Sequence, residues 1–163
     1  MELSGWYSID GKDLWQVFSM FVESGSDTFL NYPSKKESIT HDWLDSDGLD
    51  VDLSRVFFNA RDLTLNVAIV ADSGPAFMEK YEAFLLLMRQ PGLRRIHVTE
   101  LGKDYYVFYK ECKDFKRFTR VQVPDDPYSK VACKFTIVFT ETNPSINAQP
   151  VFIVDEQGRF LIT

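Results

Sequence analysis

The strongest constraint in this sequence is an alternation of apolar and polar side chains that occurs in two separate segments, residues 62–71 and 131–140. The apolar positions are Leu63, Leu65, Val67, Ile69 and Ala71 in the first segment and Val131, Cys133, Phe135, Ile137 and Phe139 in the second. A period of two places such side chains on one face of a β-strand. We therefore predict two strands, each with an apolar face that another layer of the protein has to cover.

A helix is predicted at about residues 75–89. Ser73, Gly74 and Pro75 are residue types found at helix starts, and the tripeptide QPG at residues 90–92 ends the pattern. Apolar side chains recur between them at helical spacing: Phe77, Tyr81, Phe84, Leu85 and Met88, with Met78, Leu86 and Leu87 widening the apolar face. A helix with this pattern is amphipathic and is expected to lie on an apolar surface.

Turn sequences divide much of the remaining chain into β-hairpins. GKD at residues 102–104 joins a shorter predicted strand, 93–101, to a longer one, 105–118. Near the N-terminus, SIDGKDL leads into an apolar run, residues 15–22, that suits either a strand or a short helix. At the C-terminus, VFIVDEQGRFLIT has the pattern of a further hairpin.

These elements predict an α+β protein that is mainly β, either a β-sandwich or a split barrel with one flanking helix. We expect a single core domain in residues 1–143, with protruding arms at about 23–61 and 119–130, and a linker with a β-hairpin in residues 144–163. Long irregular segments in a compact domain are commonly functional, so the two arms are the first places to look for function.

Composition and charge exclude several classes of protein. The net charge of −6 argues against a protein that holds nucleic acid by its phosphates, and the two most basic stretches, residues 93–97 and 110–120, are interpreted as the solvated faces of strands. No apolar run reaches the roughly 18 residues of a membrane span, and the N-terminus lacks the pattern of a signal peptide. We therefore expect a protein made and kept in a cytoplasm, with no membrane partner and no disulfide between Cys112 and Cys133.

An acidic cluster, HDWLDSDGLDVDL at residues 41–53, has five aspartates: Asp42, Asp45, Asp47, Asp50 and Asp52. A calcium loop needs acidic residues at its first positions, glycine at position 6 and glutamate at position 12. With Gly48 at position 6, position 1 is Trp43 and position 12 is Ser54, so the pattern fails at both ends. An irregular calcium site and an exposed DSDG turn between two short strands both remain open, and the turn is favoured.

Catalytic and metal-binding motifs are not found in the sequence. A zinc site would have to combine His41, His97, Cys112 and Cys133, which lie far apart and form no CxxC or HxxxH pair. There is no GxSxG elbow and no phosphate-binding glycine loop, and His41 beside Asp42 is interpreted as an ordinary surface pair. We predict no enzyme activity, no catalytic residue, no metal and no cofactor.

The aromatic stretch KDYYVFYKECKDF at residues 103–115 has two interpretations. It suits a platform on which single-stranded nucleic acid stacks, and it equally suits a strand buried on both faces. Because the protein is acidic, we favour the buried strand, with Tyr105, Val107 and Tyr109 on one face and Tyr106 and Phe108 on the other.

The order of these features resembles the tail proteins of long-tailed phages, particularly the tail-tube and distal-tail group. The resemblance covers about residues 5–143. It consists of an N-terminal strand and DG turn, FLNYPSKKESITHDWLDSDGLDVDL, the strand RDLTLNVAIVAD, the helix AFMEKYEAFLLLMRQPG, the strand LRRIHVTELG, and KDYYVFYKECKDFKRF before KFTIVFTETNP. Such proteins are similar to one another in having a β-sandwich or split barrel with one flanking helix.

The resemblance implies a structural component of a phage or prophage tail, present in the bacterial cytoplasm during assembly and then in the virion tail. Such proteins form rings, commonly hexameric, around the path of the DNA, so the implied partners are further copies of the chain and other tail proteins. The resemblance also implies that the two long segments reach neighbouring subunits.

We accordingly predict an inter-subunit arm made by Trp43, Leu44, Asp45, Asp47, Leu49, Asp50 and Asp52. Trp43 and Leu44 are expected to pack on a neighbour, while the aspartates face water or the lumen, where acidic groups repel DNA. Two alternatives remain. One is a β domain that binds a small ligand or carbohydrate by stacking it on Trp6, Trp15 or Trp43, and the other is a metal-dependent enzyme that uses the aspartate cluster.

Overall fold

The computed structural model describes residues 4–45, 47–121 and 129–144. The predicted C-terminal hairpin and most of the predicted arm at 119–130 lie outside these residues. The strands are β1 (Tyr7–Ile9), β2 (Lys12–Asp13), β3 (Met20–Ser24), β4 (Thr40–His41), β5 (Asp50–Val51), β6 (Arg61–Ala71), β7 (Arg94–Val98), β8 (Lys103–Arg117) and β9 (Val131–Glu141), and the α-helices are α1 (Leu14–Phe18) and α2 (Gly74–Met88). The predicted class, α+β and mainly β with one main helix, is confirmed.

The two alternating segments form β6 and β9, which pair antiparallel along their whole length, from Arg61 opposite Glu141 to Ala71 opposite Val131. All ten apolar positions predicted for them are buried, with at most 5% of any side chain exposed. Because opposite residues in an antiparallel pair share a face, the register places both apolar sets on the same side of the sheet. The two strands are the centre of the hydrophobic core.

Seven strands form one antiparallel sheet in the order β2-β1-β7-β8-β9-β6-β3. Six strand spacings in a flat sheet would separate its two edges by about 29 Å. However, α1 connects β2 at one edge to β3 at the other, and its five residues advance only about 8 Å. The sheet must therefore curl into an open barrel, and the interior gap between its strands and helices is only about 10 Å³.

The apolar run at residues 15–22 combines both structures that the sequence allows, because it forms the end of α1 and the start of β3. The Asp13 carboxylate caps α1 by accepting a hydrogen bond from the Gln16 N–H at 2.8 Å. Ser19 then turns the chain with a left-handed backbone, φ 49°, before β3 begins. A short helix here is what allows the chain to cross from one edge of the sheet to the other.

Helix α2 packs on the barrel through Phe77, Phe84, Leu87 and Met88. The ring of Phe84 meets that of Phe18 in α1 edge-on, with 5.6 Å between centroids. The expectation that Met78 and Leu86 widen the buried face is wrong, because 38% and 60% of these residues are exposed. A turn of 100° per residue moves both positions out of the stripe that faces the sheet.

The expectation that β8 is buried on both faces is also wrong. Tyr105 and Val107 point into the barrel, but Tyr106 is 55% exposed and Phe108 is 41% exposed on the outer face. Strands are buried on both faces when helices cover both sides of a sheet. Here α1 and α2 pack on the same core, so the outer face of β8 is left to solvent.

Neither α-helix in the described part of the chain has the length and apolar character needed to span a membrane.

Candidate functional site

Residues 34–59, which we call the arm, form a two-stranded antiparallel ribbon separate from the barrel sheet. Beyond the β4–β5 pair, the backbone N–H groups of Asn59, Lys36 and Asp52 donate to the carbonyl oxygens of Ser34, Phe57 and Ile39 at 2.8, 2.8 and 2.9 Å. The eight residues from Ser34 to His41 give the ribbon a length of about 26 Å. The arm thus occupies the central part of the segment 23–61 that was predicted to protrude, whereas β3 and the 3-10 turn Ser26–Phe29 belong to the barrel.

The arm is exposed on both of its faces. Of its described residues, all except Ser38, Val51 and Phe58 are exposed. Seven large apolar side chains are among the exposed ones: Ile39, Trp43, Leu44, Leu49, Leu53, Val56 and Phe57. A two-stranded ribbon alone in water is marginally stable, and an apolar surface of this kind marks an interaction site. The arm therefore has the surface of an element that packs against a partner.

A buried ion pair fixes the root of the arm to the barrel. The Arg61 Nε lies 2.6 Å from the Glu141 Oε2, and their side chains are only 15% and 7% exposed. The Arg61 guanidinium also donates to the carbonyl oxygen of Asn31 and lies 6.0 Å from the centre of the Tyr105 ring. Burial raises the pKa of the Tyr105 hydroxyl, which Arg61 partly offsets. This network connects Asn31, in the segment that precedes the arm, to the start of β6 and the end of β9.

A cleft of about 590 Å³ lies at the arm root and contains Arg61, Glu141, Tyr32 and two tyrosines of β8, Tyr105 and Tyr106. The tryptophans that were considered as ligand platforms are placed elsewhere. Trp15 packs edge-on against Phe21, and Trp43 lies near the end of the arm, while Trp6 precedes β1. None of the three lines the cleft.

The aspartate cluster occupies the free end of the arm, which we call the arm tip (residues 41–53). All five aspartates are exposed, as are Trp43 at 53% and Leu44 at 103%. A side-chain and a backbone hydrogen bond from Ser54 lower the pKa of Asp52, and the backbone bond measures 2.9 Å. Within residues 4–45, 47–121 and 129–144, no three His, Cys, Asp or Glu side chains gather closely enough to hold a metal ion.

The four residues considered for zinc are distributed over the arm and the sheet. His41 packs against Trp43 with 3.9 Å between ring centroids, and His97 Nδ1 lies 2.8 Å from the Asp104 carboxylate on the outer face of the sheet. Cys133 is fully buried in β9, and burial raises the pKa values of both Cys133 and Cys112. A thiol whose pKa is raised by burial is a poor nucleophile and a poor metal ligand, so Cys133 acts as a core side chain, and the half-buried Cys112 packs against the core.

A second exposed surface lies at the far end of β8, where the sequence analysis predicted a solvated strand face but not an unpaired strand edge. Strand β7 pairs with β8 only between Lys103 and Val107, so among the described residues no strand pairs with that edge of β8 from Phe108 to Arg117. Phe115 and Phe118 at this end are 43% and 62% exposed. The signal was present in the sequence, because a longer predicted strand opposite a shorter one leaves part of one edge without a partner.

Comparison with known proteins gives a match at the level of the fold. No protein-family model matches the sequence, and no curated protein matches it. The solved structure of the SPP1 Dit protein, a hub adsorption apparatus protein of phages that infect Gram-positive bacteria, matches with a TM-score of 0.57 at 17% sequence identity. The two proteins share a fold. The match covers 85% of this chain and 49% of the Dit chain, so the present chain spans about half the length of that protein. The predicted resemblance to distal-tail proteins is confirmed at the level of the fold.

Proposed function

We propose that this protein is a structural component of a phage or prophage tail, and that copies of it assemble into a ring around the path of the DNA. The observation that carries the proposal is the arm, an exposed apolar ribbon attached to a barrel with the fold of SPP1 Dit. The protein then works by assembly and has no reaction to catalyse. Its location is the virion tail, and its partners are further copies of itself and other tail proteins.

The arm supplies the contact between neighbouring copies. Trp43 and Leu44 at its tip pack on the next subunit, which removes their apolar surface from water. A contact between an arm on one side and a different surface on the other is head-to-tail, and repeated head-to-tail contacts close into a ring when the rotation between subunits allows it. The net charge of −6 keeps such a ring from binding the DNA backbone that passes through it.

The first test is the mass of the protein by light scattering over a concentration series, with negative-stain images at the highest concentration. We expect a defined oligomer and rings with a central hole. A single monomer mass at every concentration, with no ring in the images, would contradict self-assembly.

A pair of variants then tests the role of the arm. Trp43→Ser combined with Leu44→Ser removes the two apolar side chains at the tip, and we expect association to weaken by about a hundredfold or more, since central aromatic contacts dominate interfaces. Leu86→Ser is the matched control, because Leu86 is 60% exposed on α2 and away from the arm. Equal association of the tip variant and the unaltered protein would show that the arm is not the contact.

A further inference from the structure

We propose that the arm tip of one copy docks on the far end of β8 of the next copy, on a surface that we call the acceptor (residues 113–120). This inference rests on the proposed function and deepens it, because it names the surface that receives the arm. Four observations carry it: the charges of the two surfaces, their exposed apolar side chains, the unpaired edge of β8, and the positions of the two surfaces in the fold.

The two surfaces have opposite charge. The arm tip contains five aspartates and no lysine or arginine, whereas the acceptor contains one aspartate and four basic residues, Lys113, Lys116, Arg117 and Arg120. In a chain with a net charge of −6, the acceptor is a local exception. Complementary potentials of this kind steer association and fix the register of an interface.

Most of the basic groups of the acceptor lack an ion-pair partner in the described structure. Lys113 lies 3.4 Å from the Glu111 carboxylate, but the ion pairs formed among the described residues include none to Lys116, Arg117 or Arg120. Lys116 and Arg117 are exposed. Lys116, Arg117 and Arg120 therefore have no carboxylate partner within residues 4–45, 47–121 and 129–144, and in the proposed contact they pair with the tip aspartates.

Apolar side chains accompany the charges on both surfaces. The acceptor exposes Phe115 and Phe118, and the arm tip exposes Trp43, Leu44 and Leu49. An open groove of about 540 Å³ at the acceptor is lined by Met78, Arg117, Arg120 and Val121. A groove with apolar walls and guanidinium groups at its sides suits a tryptophan side chain, because the ring packs on the apolar part and attracts the cations.

The unpaired edge of β8 adds backbone hydrogen bonds to this match. Between Phe108 and Arg117, the backbone N–H and C=O groups of alternate residues point away from β9, and in the described structure no strand lies beside them. The arm is itself a two-stranded ribbon, so its outer edges are also open. An edge strand of one protein that meets an open sheet edge of another adds to that sheet by main-chain hydrogen bonding.

The positions of the two surfaces favour a contact between copies. The arm is rooted where Arg61 meets Glu141, whereas Arg117 of the acceptor pairs with Cys133, eight residues earlier in β9 and about 26 Å away. In the described structure the tip of the arm does not cover the acceptor, since Leu44 is 103% exposed and Phe118 is 62% exposed. The arm root and the acceptor thus lie at different ends of the sheet, and neither the tip nor the acceptor is covered by the described residues, which is the arrangement that a head-to-tail ring requires.

In the proposed contact the tip aspartates pair with the basic groups of the acceptor, which is an alternative to the prediction from the sequence that they face water or the lumen. A basic patch with exposed aromatic rings also suits single-stranded nucleic acid. The chain's own acidic tip is the favoured occupant, because it matches the acceptor in charge, in apolar content and in strand geometry.

A charge-reversal experiment tests the proposal. The tip variant carries Asp45→Lys, Asp47→Lys and Asp50→Lys, and the acceptor variant carries Lys113→Glu, Lys116→Glu and Arg117→Glu, all at exposed positions. We expect each variant alone to associate about a hundredfold more weakly than the unaltered protein, because like charges then face each other. In an equimolar mixture every tip faces an acceptor of opposite charge, so we expect assembly to be restored with alternating copies.

The control variant reverses two exposed acidic residues that belong to neither surface, Asp27→Lys and Glu100→Lys, and should associate like the unaltered protein. Circular dichroism and thermal unfolding establish that all variants fold. For the unaltered protein, raising the salt concentration from about 0.05 M to about 0.5 M should weaken association, because exposed charges are then screened.

The outcomes separate this inference from the proposed function. If the unaltered protein assembles and both reversal variants assemble equally well, the acceptor is wrong while ring assembly stands. If the unaltered protein is a monomer under all conditions, the proposed function fails and this inference fails with it. If the acceptor variant keeps its assembly but loses binding to a single-stranded oligonucleotide that the unaltered protein binds, the surface is a nucleic-acid site instead.

Discussion

The β6–β9 pair and the arm are both antiparallel pairings of two strands, but they differ in what surrounds them. In the β6–β9 pair, eleven consecutive residues are in register, and every apolar side chain on the inner face is buried under α1, α2 and the curled sheet. In the arm, nearly every described side chain is exposed. The backbone hydrogen bonds are of the same kind in both, so we expect the β6–β9 pair to be the more stable one because of the larger apolar surface that it removes from water.

The charged side chains of the two regions also differ in their burial and in their partners. At the arm root, Arg61 and Glu141 are mostly buried, and the Arg61 Nε lies 2.6 Å from the Glu141 Oε2. This attraction offsets the free energy needed to remove both charges from water. At the arm tip, the aspartates are exposed, and Asp52 bonds to the nearby Ser54 backbone. The charges at the arm root are therefore paired within the chain, whereas the tip aspartates form no ion pair among the described residues.

The largest expected effect comes from replacing an isoleucine by alanine in the β6–β9 pair, and the same replacement in the arm provides the comparison. Ile69→Ala removes a fully buried side chain from β6 and should lower the free energy of unfolding by about 3 kcal/mol, through lost burial and the cavity left behind. Ile39→Ala in the arm, where the side chain is 79% exposed, should cost less than about 0.5 kcal/mol. Denaturant unfolding of dilute protein measures both. Equal losses would mean that the arm is packed as tightly as the barrel.

The same contrast explains which elements of the fold could be predicted from the sequence. The strands at residues 62–71 and 131–140 and the helix at 75–89 were predictable because burial on one face imposes a period on the side chains, and this period is visible in the sequence. The order in which the strands pair could not be predicted in the same way. Strand β3 lies beside β6 because α1 crosses the open side of the barrel, and no periodic pattern in the sequence indicates that crossing.

The site was predictable in position and only partly in structure. Periodicity is imposed by burial, and the arm has almost none, so a ribbon reaching from Ser34–Asn59 to its tip leaves no pattern of alternation. The acidic composition of residues 41–53 indicated where the tip lies. The sequence did not indicate that Tyr106 and Phe108 would be exposed. Aromatic residues that alternate along a strand are the same in sequence whether or not a second layer covers them.

The next largest effect is expected at the arm root, where the arm is attached to the barrel. Glu141→Gln leaves the Arg61 guanidinium mostly buried without a counter-charge, and should lower the free energy of unfolding by about 2 kcal/mol. The control is Glu111→Gln, whose partner Lys113 lies 3.4 Å away in an exposed pair and whose loss should cost less than about 0.5 kcal/mol. Thermal and denaturant unfolding compare the two. A loss at Glu141 no greater than at Glu111 would show that the ion pair does not hold the root.

The smallest effect tests whether charge pairing on the outer face of the barrel differs from that at the arm tip. Hydrogen bonds from Lys110, at 2.5 Å, and from Thr140, at 2.7 Å, lower the pKa of the Asp62 carboxyl. A folded pKa below the unfolded value of about 3.9 adds stability above that pH, and the gain is lost as the pH falls through the folded pKa.

Asp62→Asn should therefore lower the free energy of unfolding at pH 7, and the difference from the unaltered protein should shrink as the pH falls below about 4 and disappear only below the folded pKa. The size is expected to be less than about 0.5 kcal/mol, because 44% of the Asp62 side chain is exposed and solvent screens the pair. Asp47→Asn at the exposed arm tip is the control: Asp47 forms no ion pair among the described residues, so this change should leave the free energy of unfolding of the dilute monomer at pH 7 unchanged. Unfolding curves at several pH values between about 3 and 7 measure the effect. A pH-independent difference would mean that Asp62 acts through packing, and a matching difference at Asp47 would mean that the arm tip also pairs its charges within the chain.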